Sequence, residues 1–303
     1  MSDASTYRTR YAPTPSGAMH LGHARTALVA WLRARTARGG RVVMRIEDLD
    51  PPRVKPGSEA SILRDHEWLG LDWDEGPIRQ SGRFDRYAEV LETLRARGRV
   101  YPCTCTRKEL QDAAAQAPHG DEPVYPGTCR THPSHPERTP AWRFAIGEAF
   151  DTRGPGFVDV LQGPRPGTAG DPILRRSDGL FAYPLAVVVD DHDQAITEVV
   201  RGDDLIAATS KQLALYDALG WSRPEFLHVP LVLGPDGTRL AKRHGAVGVA
   251  DYRDAGWSAE RVLGWLAWSL GLADDDAPVD RDTLRERFDL ARVRSGAVTP
   301  PSP

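Results

Sequence analysis

The order of hydrophobic and polar positions predicts a chain that alternates between strands and helices. A short strand and a Gly-rich turn precede a helix over residues 24–38, and a strand follows over 41–46. Further helices are predicted over 58–69, with Ser58 as N-cap, and over 83–97, and each of these is followed by a glycine. This opening is typical of a doubly wound α/β domain with a parallel sheet.

The same pattern continues after residue 100. It predicts two strands within 142–161, a hairpin over 173–183, and single strands at 185–189, 195–200 and 226–233. It predicts helices over 107–116, 207–219, 258–272 and 281–288. Residues 117–140 are rich in Pro, His and Gly and are too polar to form a core, so they are predicted to be an inserted loop.

Composition and charge exclude several classes of protein. The 303 residues suffice for one large α/β domain or two smaller ones. No apolar run reaches the length of about 18 residues that a membrane span needs, and the N-terminus lacks an apolar signal core, so we expect no membrane association and a cytoplasmic location. A net charge of -3 gives no general attraction to nucleic acid.

The turn before the first helix is a candidate anion site. His20 and His23 lie three residues apart, with Gly22 between them. Free backbone N–H groups and the positive end of the helix dipole favour a phosphate there, and imidazoles can add hydrogen bonds to a reacting phosphate. The pattern His-x-Gly-His also occurs by chance, and a histidine at a helix start can be a simple cap.

Two distant segments could complete such a site. Glu47, Asp48 and Asp50 follow the strand at 41–46, and ligands of open α/β sheets bind at the carboxyl ends of strands. A cluster of acids can equally be a solvated turn. Residues 238–245 form a basic loop that contains Lys242.

Together these motifs resemble the class I aminoacyl-tRNA synthetases, and within them the glutamyl branch. His20-Leu21-Gly22-His23 stands at the HIGH motif, and Arg-Ile-Glu-Asp-Leu-Asp at 45–50 matches the second signature. Residues 239–243 stand at the KMSKS loop, where Arg239 and Ala241 replace the usual Lys and Ser but Lys242 is retained. The resemblance covers about residues 7–270.

The resemblance implies an ATP-dependent ligase. A glutamate carboxylate attacks the α-phosphate of ATP, with Mg²⁺ expected, and gives glutamyl-adenylate and pyrophosphate. His20, Gly22, His23 and Lys242 would bind ATP. The two histidines and the lysine would be the catalytic groups, because they can stabilise charge that develops on the phosphates.

Glutamate also needs cations for its carboxylates and an acceptor for its ammonium group. Arg10 and Arg201 are the candidate cations, because a guanidinium can grip a carboxylate with two bonds. Glu47 is the candidate partner of the ammonium, and Tyr183 can donate its hydroxyl. Taken alone, the arginines could be surface ion pairs and Tyr183 a core residue. In the family pattern this pocket also includes the residues that follow Arg10: Tyr11, Ala12, Pro13 and Thr14.

Chain length refines the expected acceptor. Sixty residues follow Arg243, fewer than the anticodon-binding domain of a full glutamyl enzyme requires. This resembles the truncated glutamyl-Q tRNA(Asp) branch and implies tRNA-independent activation of L-glutamate and transfer to queuosine in the anticodon loop of tRNA(Asp). The expected layout is a Rossmann-type catalytic domain in two halves (1–102 and 141–250), a zinc-binding insertion (103–140) and a helical C-terminal region (251–303). We expect a monomer.

Three cysteines within 27 residues predict a metal site better than a disulfide framework. Thiolates suit Zn²⁺, and a structural zinc takes four ligands, so Cys103, Cys105 and Cys129 need a fourth. Residue types alone suggest a histidine: His119, His132 or His135. The glutamyl-Q pattern implies Tyr125 instead. We expect one structural zinc per chain, with three reduced cysteines and no metal as the alternative.

Other functions share part of these features. An HxGH nucleotidyltransferase would have the phosphate turn but neither the 45–50 signature nor the Cys-x-Cys insertion. An inactive, zinc-stabilised RNA-binding module derived from a synthetase would not need His20, His23 and Lys242. A glutamyl-tRNA synthetase-like catalytic fragment could charge a different acceptor.

Overall fold

Short strands and packed helices make up the described part of the chain. The computed structural model describes residues 6–106, 108–110, 125–147, 153–168, 170–232, 247–294, 298 and 301. Its strands are β1 (Arg8–Tyr11), β2 (Arg41–Ile46), β3 (Glu75–Arg79), β4 (Val100–Cys103), β5 (Ala141–Phe144), β6 (Phe157–Asp159), β7 (Gly163–Arg165), β8 (Ile173–Arg175), β9 (Glu198–Gly202) and β10 (Glu225–Val229). Its helices are α1 (Leu21–Thr36), α2 (Ser58–Trp68), α3 (Phe84–Ala96), α4 (Tyr183–Asp193), α5 (Ile206–Leu219), α6 (Val249–Asp254), α7 (Ala259–Leu270) and α8 (Arg281–Glu286).

The central strands are parallel, and the direction in which successive strands are added to the sheet reverses at one point. β1, β2 and β3 pair side by side in parallel, and so do β9 and β10. The two groups meet where the backbone N–H of Thr197 donates to the carbonyl of Arg8 at 2.9 Å. The chain therefore winds outward from β1 in one direction and from β9 in the other. The doubly wound α/β prediction is confirmed, and the gap between β1 and β9 is the switch point at which such folds bind ligands.

The remaining strands are antiparallel and lie apart from this sheet. β4, β5 and β8 form one sheet, and β6 and β7 form a hairpin. The predicted hairpin over 173–183 is reduced to β8 and a single bridge between Arg175 and Phe181. The predicted helix over 107–116 lies outside the described residues except for 108–110.

Helix α4 replaces a predicted strand. Residues 185–189 were expected to be extended because they are apolar and largely β-branched, and this prediction is wrong. The five side chains are at most 1% exposed, so the helix is buried all round and shows no amphipathic period. Pro184 stands in the first turn, where a missing N–H costs nothing.

The observed helix boundaries agree with the predicted boundaries within a few residues. Helix α1 begins at Leu21, three residues before the predicted start. Ser58 is the first residue of α2 and not its N-cap, which is Gly57 in the left-handed conformation with φ 78°. Gly220 ends α5 in the same conformation, as expected. No helix among the described residues is long and apolar enough to cross a membrane.

A buried arginine ties α1 to two other elements. Arg25 is 0% exposed, and its guanidinium donates to the carbonyls of Pro230 at 2.8 Å, after β10, and of Ser269 at 2.7 Å, in α7. Burial lowers the pKa of Arg25 to about 10, so it stays charged at neutral pH. These bonds fix the start of α1 against the segment that leaves β10.

We expect Arg25→Met to destabilise the protein by about 2–4 kcal/mol, because two buried carbonyls lose their donors. Urea unfolding followed by circular dichroism measures the change. The control is Arg38→Met, at an exposed position just after α1, for which the expected change is within about 0.5 kcal/mol. Equal stability of the two variants would contradict this role of Arg25.

Candidate active site and metal centre

The N-terminus of α1 brings two histidines together. His20 is the N-cap of α1: its Nδ1 accepts the backbone N–H of His23 at 3.3 Å, and the two rings stack with centroids 3.7 Å apart. An accepting Nδ1 carries no proton, so neutral His20 has its proton on Nε2, which can donate to a phosphate. A Cβ at Gly22 would lie 3.0 Å from the His20 ring, and this explains the glycine between the histidines.

The chain returns to the N-terminus of α1 after residues 233–246. The backbone N–H of Val249 donates to the carbonyl of Met19 at 2.7 Å, and Gly248 forms a bridge with His20. A Cβ at Gly248 would lie 2.9 Å from the Cβ of Ala18, so the two segments approach as closely as glycine permits. Lys242 itself lies outside the described residues.

Arg10 reaches the switch point from the end of β1. It is 3% exposed, its Nε donates to Asp191 Oδ1 at 3.1 Å, and its Nη1 donates to the carbonyl of Val200 at 3.0 Å. Within the described part of the chain, Nη2 has no hydrogen bond. Arg10 is therefore held by two contacts and retains donors for a ligand.

Asp191, in α4, accepts from a second arginine as well. Arg45 Nη1 donates to the same Oδ1 at 2.7 Å and to Gln194 Oε1 at 3.0 Å. Burial opposes ionisation of Asp191, but the charges of Arg10 and Arg45 outweigh it and lower the pKa of Asp191. Sequence reasoning missed Asp191, because the strand predicted at 185–189 gave no sign that Asp191 lies in a helix.

Arg201, in β9, has a protein partner for every N–H. Its Nη1 donates to the Tyr183 hydroxyl at 3.3 Å and to Gln212 Oε1 at 2.9 Å, and its Nη2 donates to Thr209 Oγ1 at 2.7 Å and to the Leu205 carbonyl at 3.3 Å. Its Nε donates to His228 Nε2 at 3.0 Å. The two bonds at 3.3 Å are the longest and the easiest for a substrate oxygen to replace.

Glu47 follows β2 and lies among these charges. Arg45 Nη2 is 3.3 Å from its Oε1. Burial raises the pKa of Glu47, although Arg45 and Arg10 act in the opposite sense. A bound ammonium group would favour the charged carboxylate further.

The structure therefore brings together Arg10, Glu47, Tyr183 and Arg201. Tyr11 is different: its ring packs in the core against His66 with centroids 4.4 Å apart, so only its backbone can contribute to the pocket. The loop residues Ala12, Pro13 and Thr14 are partly exposed, and the carbonyl of Pro13 accepts the backbone N–H of Glu47 at 2.9 Å.

The three cysteines also converge. Their sulfur atoms lie within 4.8 Å of one another, and the Tyr125 hydroxyl is 3.4 Å from Cys103 Sγ and 3.9 Å from Cys105 Sγ. In a tetrahedral zinc site two sulfurs are about 3.8 Å apart, and a sulfur and an oxygen about 3.5 Å. Three sulfurs and a phenol oxygen at these distances fit a zinc ion.

Two of the three candidate histidines, His132 and His135, make other contacts. His135 pairs with Glu109 at 3.2 Å and Glu137 at 3.5 Å, and His132 Nδ1 is 3.1 Å from Thr131 Oγ1. Neither belongs to the described group of close metal-ligating atoms. His119 lies outside the described residues.

Arg143 supports the cysteine cluster from β5. Its Nε donates to Cys103 Sγ at 3.2 Å, and its guanidinium carbon lies 3.8 Å from the centre of the Tyr125 ring. A bond of 2.6 Å to the Asp171 carbonyl fixes its position. Three thiolates and a phenolate around Zn²⁺ would carry a net negative charge, which Arg143 partly offsets.

Comparison with known proteins agrees with this arrangement. A family model described as tRNA synthetases class I (E and Q), catalytic domain, matches residues 6–293. Proteins named glutamyl-Q tRNA(Asp) synthetase are 48% identical in Symbiobacterium thermophilum, over 97% of this chain and 95% of that protein, and 50% identical in Deinococcus radiodurans, over 88% and 89%. A glutamate–tRNA ligase of Geobacter sulfurreducens is 43% identical over 97% of this chain and 63% of its own length.

A solved structure shares the fold over the same extent. The crystal structure of a glutamate tRNA ligase from Elizabethkingia meningosepticum, in complex with its amino acid, has a TM-score of 0.81 and 29% identity over 97% of this chain and 67% of that one. The described geometry, the family model and the relatives agree, and the chain is a ligase that belongs to the class I tRNA synthetases of the E and Q type.

Proposed function

We propose that this chain activates L-glutamate with ATP in the absence of tRNA and transfers the glutamate to queuosine in the anticodon loop of tRNA(Asp). The observation that carries the amino-acid assignment is the convergence of two buried arginines, Arg10 and Arg201, with the carboxylate of Glu47 at the switch point. Two cations and one anion complement the two carboxylates and the ammonium group of glutamate.

The activation step needs little covalent help from the protein. The glutamate carboxylate attacks the α-phosphorus, and pyrophosphate leaves with the electron pair of the broken P–O bond. His20, the N-cap of α1, and His23, in its first turn, would donate hydrogen bonds to phosphate oxygens. Lys242 would neutralise the departing pyrophosphate.

The proposed acceptor, queuosine in tRNA(Asp), is inferred from the names of the similar proteins. Several proteins of 44–50% identity, aligned over most of this chain, are named glutamyl-Q tRNA(Asp) synthetase. The glutamate–tRNA ligases are slightly less similar and are covered over a smaller share of their length. Transfer to queuosine is therefore favoured over transfer to the 3′ end.

Exchange of labelled pyrophosphate into ATP tests the activation step. We expect exchange that requires glutamate and proceeds without tRNA. Lys242→Ala should lower its rate by at least about tenfold, because a charge that stabilises the leaving group is lost. Lys211→Ala, in α5, is the control and should leave the rate unchanged. Absence of exchange with folded protein would contradict glutamate activation.

Transfer of labelled glutamate to tRNA(Asp) from which the 3′-terminal adenosine has been removed tests the acceptor. Queuosine-containing tRNA should be labelled whether or not it has the terminal adenosine, because the attacking hydroxyl lies in the anticodon loop. The same tRNA without queuosine should remain unlabelled. Labelling that depends on the terminal adenosine would instead support a glutamate–tRNA ligase.

Elemental analysis should find about one zinc per chain, bound by Cys103, Cys105, Cys129 and Tyr125. Tyr125→Phe should release zinc to a competing chelator at a concentration about tenfold lower than the unchanged protein requires, because one of four ligands is lost. The control is His135→Ala, with no change expected. The opposite ranking of the two variants would assign the fourth position to His135, and a stable protein free of zinc would exclude the site.

A further inference from the structure

A buried histidine, itself bonded to a buried aspartate, contacts Nε of Arg201, whereas Tyr183 contacts Nη1. His228, in β10, is 0% exposed, and so is the side chain of Asp159, at the end of β6. His228 Nδ1 is 2.6 Å from Asp159 Oδ2, and its Nε2 is 3.0 Å from Arg201 Nε. Neither residue stands in a motif that the sequence singles out.

The bonds determine the protonation state of His228. A guanidinium can only donate, so Nε2 must accept, and the single proton of the neutral ring must be on Nδ1, where Asp159 accepts it. The Thr209 hydroxyl, 3.2 Å from the same Nε2, is a second possible donor to it. The His228 ring thus links the Asp159 carboxylate to Arg201, and these two partners together determine its tautomer.

Asp159 is itself fixed by the backbone. It accepts the N–H groups of Leu161 at 3.0 Å, of Gln162 at 2.8 Å and of His228 at 3.1 Å. Burial opposes its ionisation, but the bond from His228 and these N–H groups outweigh burial and lower the pKa of Asp159. The carboxylate therefore stays charged and holds the ring in one orientation.

We infer that His228, oriented by Asp159, is a positioning residue that sets the guanidinium of Arg201 for glutamate binding and makes that binding sensitive to pH. The inference rests on the proposed function, in which Arg201 and Tyr183 bind a glutamate carboxylate. His228 touches no substrate; it acts through Arg201.

The charges around His228 give the sign of the pH effect. The groups that face it are Asp159 from β6, Arg201 from β9 and, at longer range, Arg10 from β1. Burial lowers the pKa of His228, and the two arginines act in the same sense, against Asp159. Protonation would put an N–H on Nε2, opposite the N–H of Arg201, so glutamate binding weakens as the pH falls through the lowered pKa of His228. The γ-carboxyl of glutamate, with a pKa of about 4.3, remains largely ionised down to about pH 5.

Two variants of similar size separate positioning from simple packing. In H228Q the amide oxygen can occupy the place of Nε2 and accept from Arg201, but it cannot be protonated. In H228N the amide can donate to Asp159 in place of Nδ1, but no acceptor reaches Arg201. The control is H192N, at an exposed histidine that stacks on Trp221.

The measurement is pyrophosphate exchange from about pH 5 to pH 8 at saturating ATP, with KM for glutamate, kcat and KM for ATP recorded separately. At pH 7.5, H228N should raise KM for glutamate about tenfold, with little change in kcat or KM for ATP. H228Q should stay within about threefold, and it should lose the rise in KM that the unchanged protein shows at acid pH. Equal KM values in H228N and H192N, or the same acid rise in H228Q, would overturn the inference.

The tautomer of His228 gives a readout that does not depend on activity. In protein labelled with ¹⁵N-histidine, with H228Q used to assign the signal, NMR at pH 7 should show a neutral ring protonated on Nδ1. A ring protonated on Nε2, or charged, would refute the inference whatever KM values the variants show. If the tautomer is as expected but no glutamate-dependent exchange occurs, the proposed function fails and the bond from Arg201 to His228 stands.

Discussion

One carboxylate, that of Asp191, accepts hydrogen bonds from two guanidinium groups at the point where four segments meet. Arg10 comes from β1, Arg45 from β2 and Asp191 from α4, while the carbonyl of Val200 in β9 accepts from Arg10. Moving each of these ions out of water costs several kcal/mol, and their mutual contacts, together with the bond to the Val200 carbonyl, offset that cost. The ions that bring strands and helix together are thus also those that define the candidate pocket.

The two candidate arginines of the pocket are held differently. Arg201 has its N–H groups engaged by His228, Gln212, Thr209, Leu205 and Tyr183. Arg10 instead donates through Nε and Nη1, and its Nη2 has no hydrogen bond to the described residues. Arg201, fixed next to the Tyr183 hydroxyl, offers a carboxylate a charge that is already oriented. Arg10 offers N–H donors that a carboxylate can bind. Charges held in place before the substrate arrives need little reorganisation during the reaction, which is the physical basis of electrostatic preorganisation.

Local signals made much of this arrangement predictable from the sequence. Gly220 marks a helix end, and the His-x-Gly-His turn marks a helix start, because a cap or a turn depends on a few neighbouring residues. Asp191 was not predictable, because its partners lie 181 and 146 residues away and because a helix buried on all sides has no amphipathic period.

At the metal centre, too, part of the arrangement was predictable from the sequence and part was not. Cysteine spacing was enough to predict the cluster of three sulfurs. The position of the Tyr125 hydroxyl between two of them, and the stacking of Arg143 on its ring, depend on how β4 and β5 pair, which spacing alone does not specify. Asp159 and His228 are a similar case, because their bond joins β6 to β10 across 69 residues.

The contacts at the two ends of the segment 233–246 use main-chain groups of the residues beside it. Arg25 binds the carbonyl of Pro230 before the segment, and Val249 gives its N–H to Met19 after it. Any residue type offers the same carbonyl, and any residue but proline the same N–H, so these anchors do not restrict which side chains lie between them. The departures at Arg239 and Ala241 from the usual KMSKS pattern therefore leave both main-chain anchors of the segment unchanged.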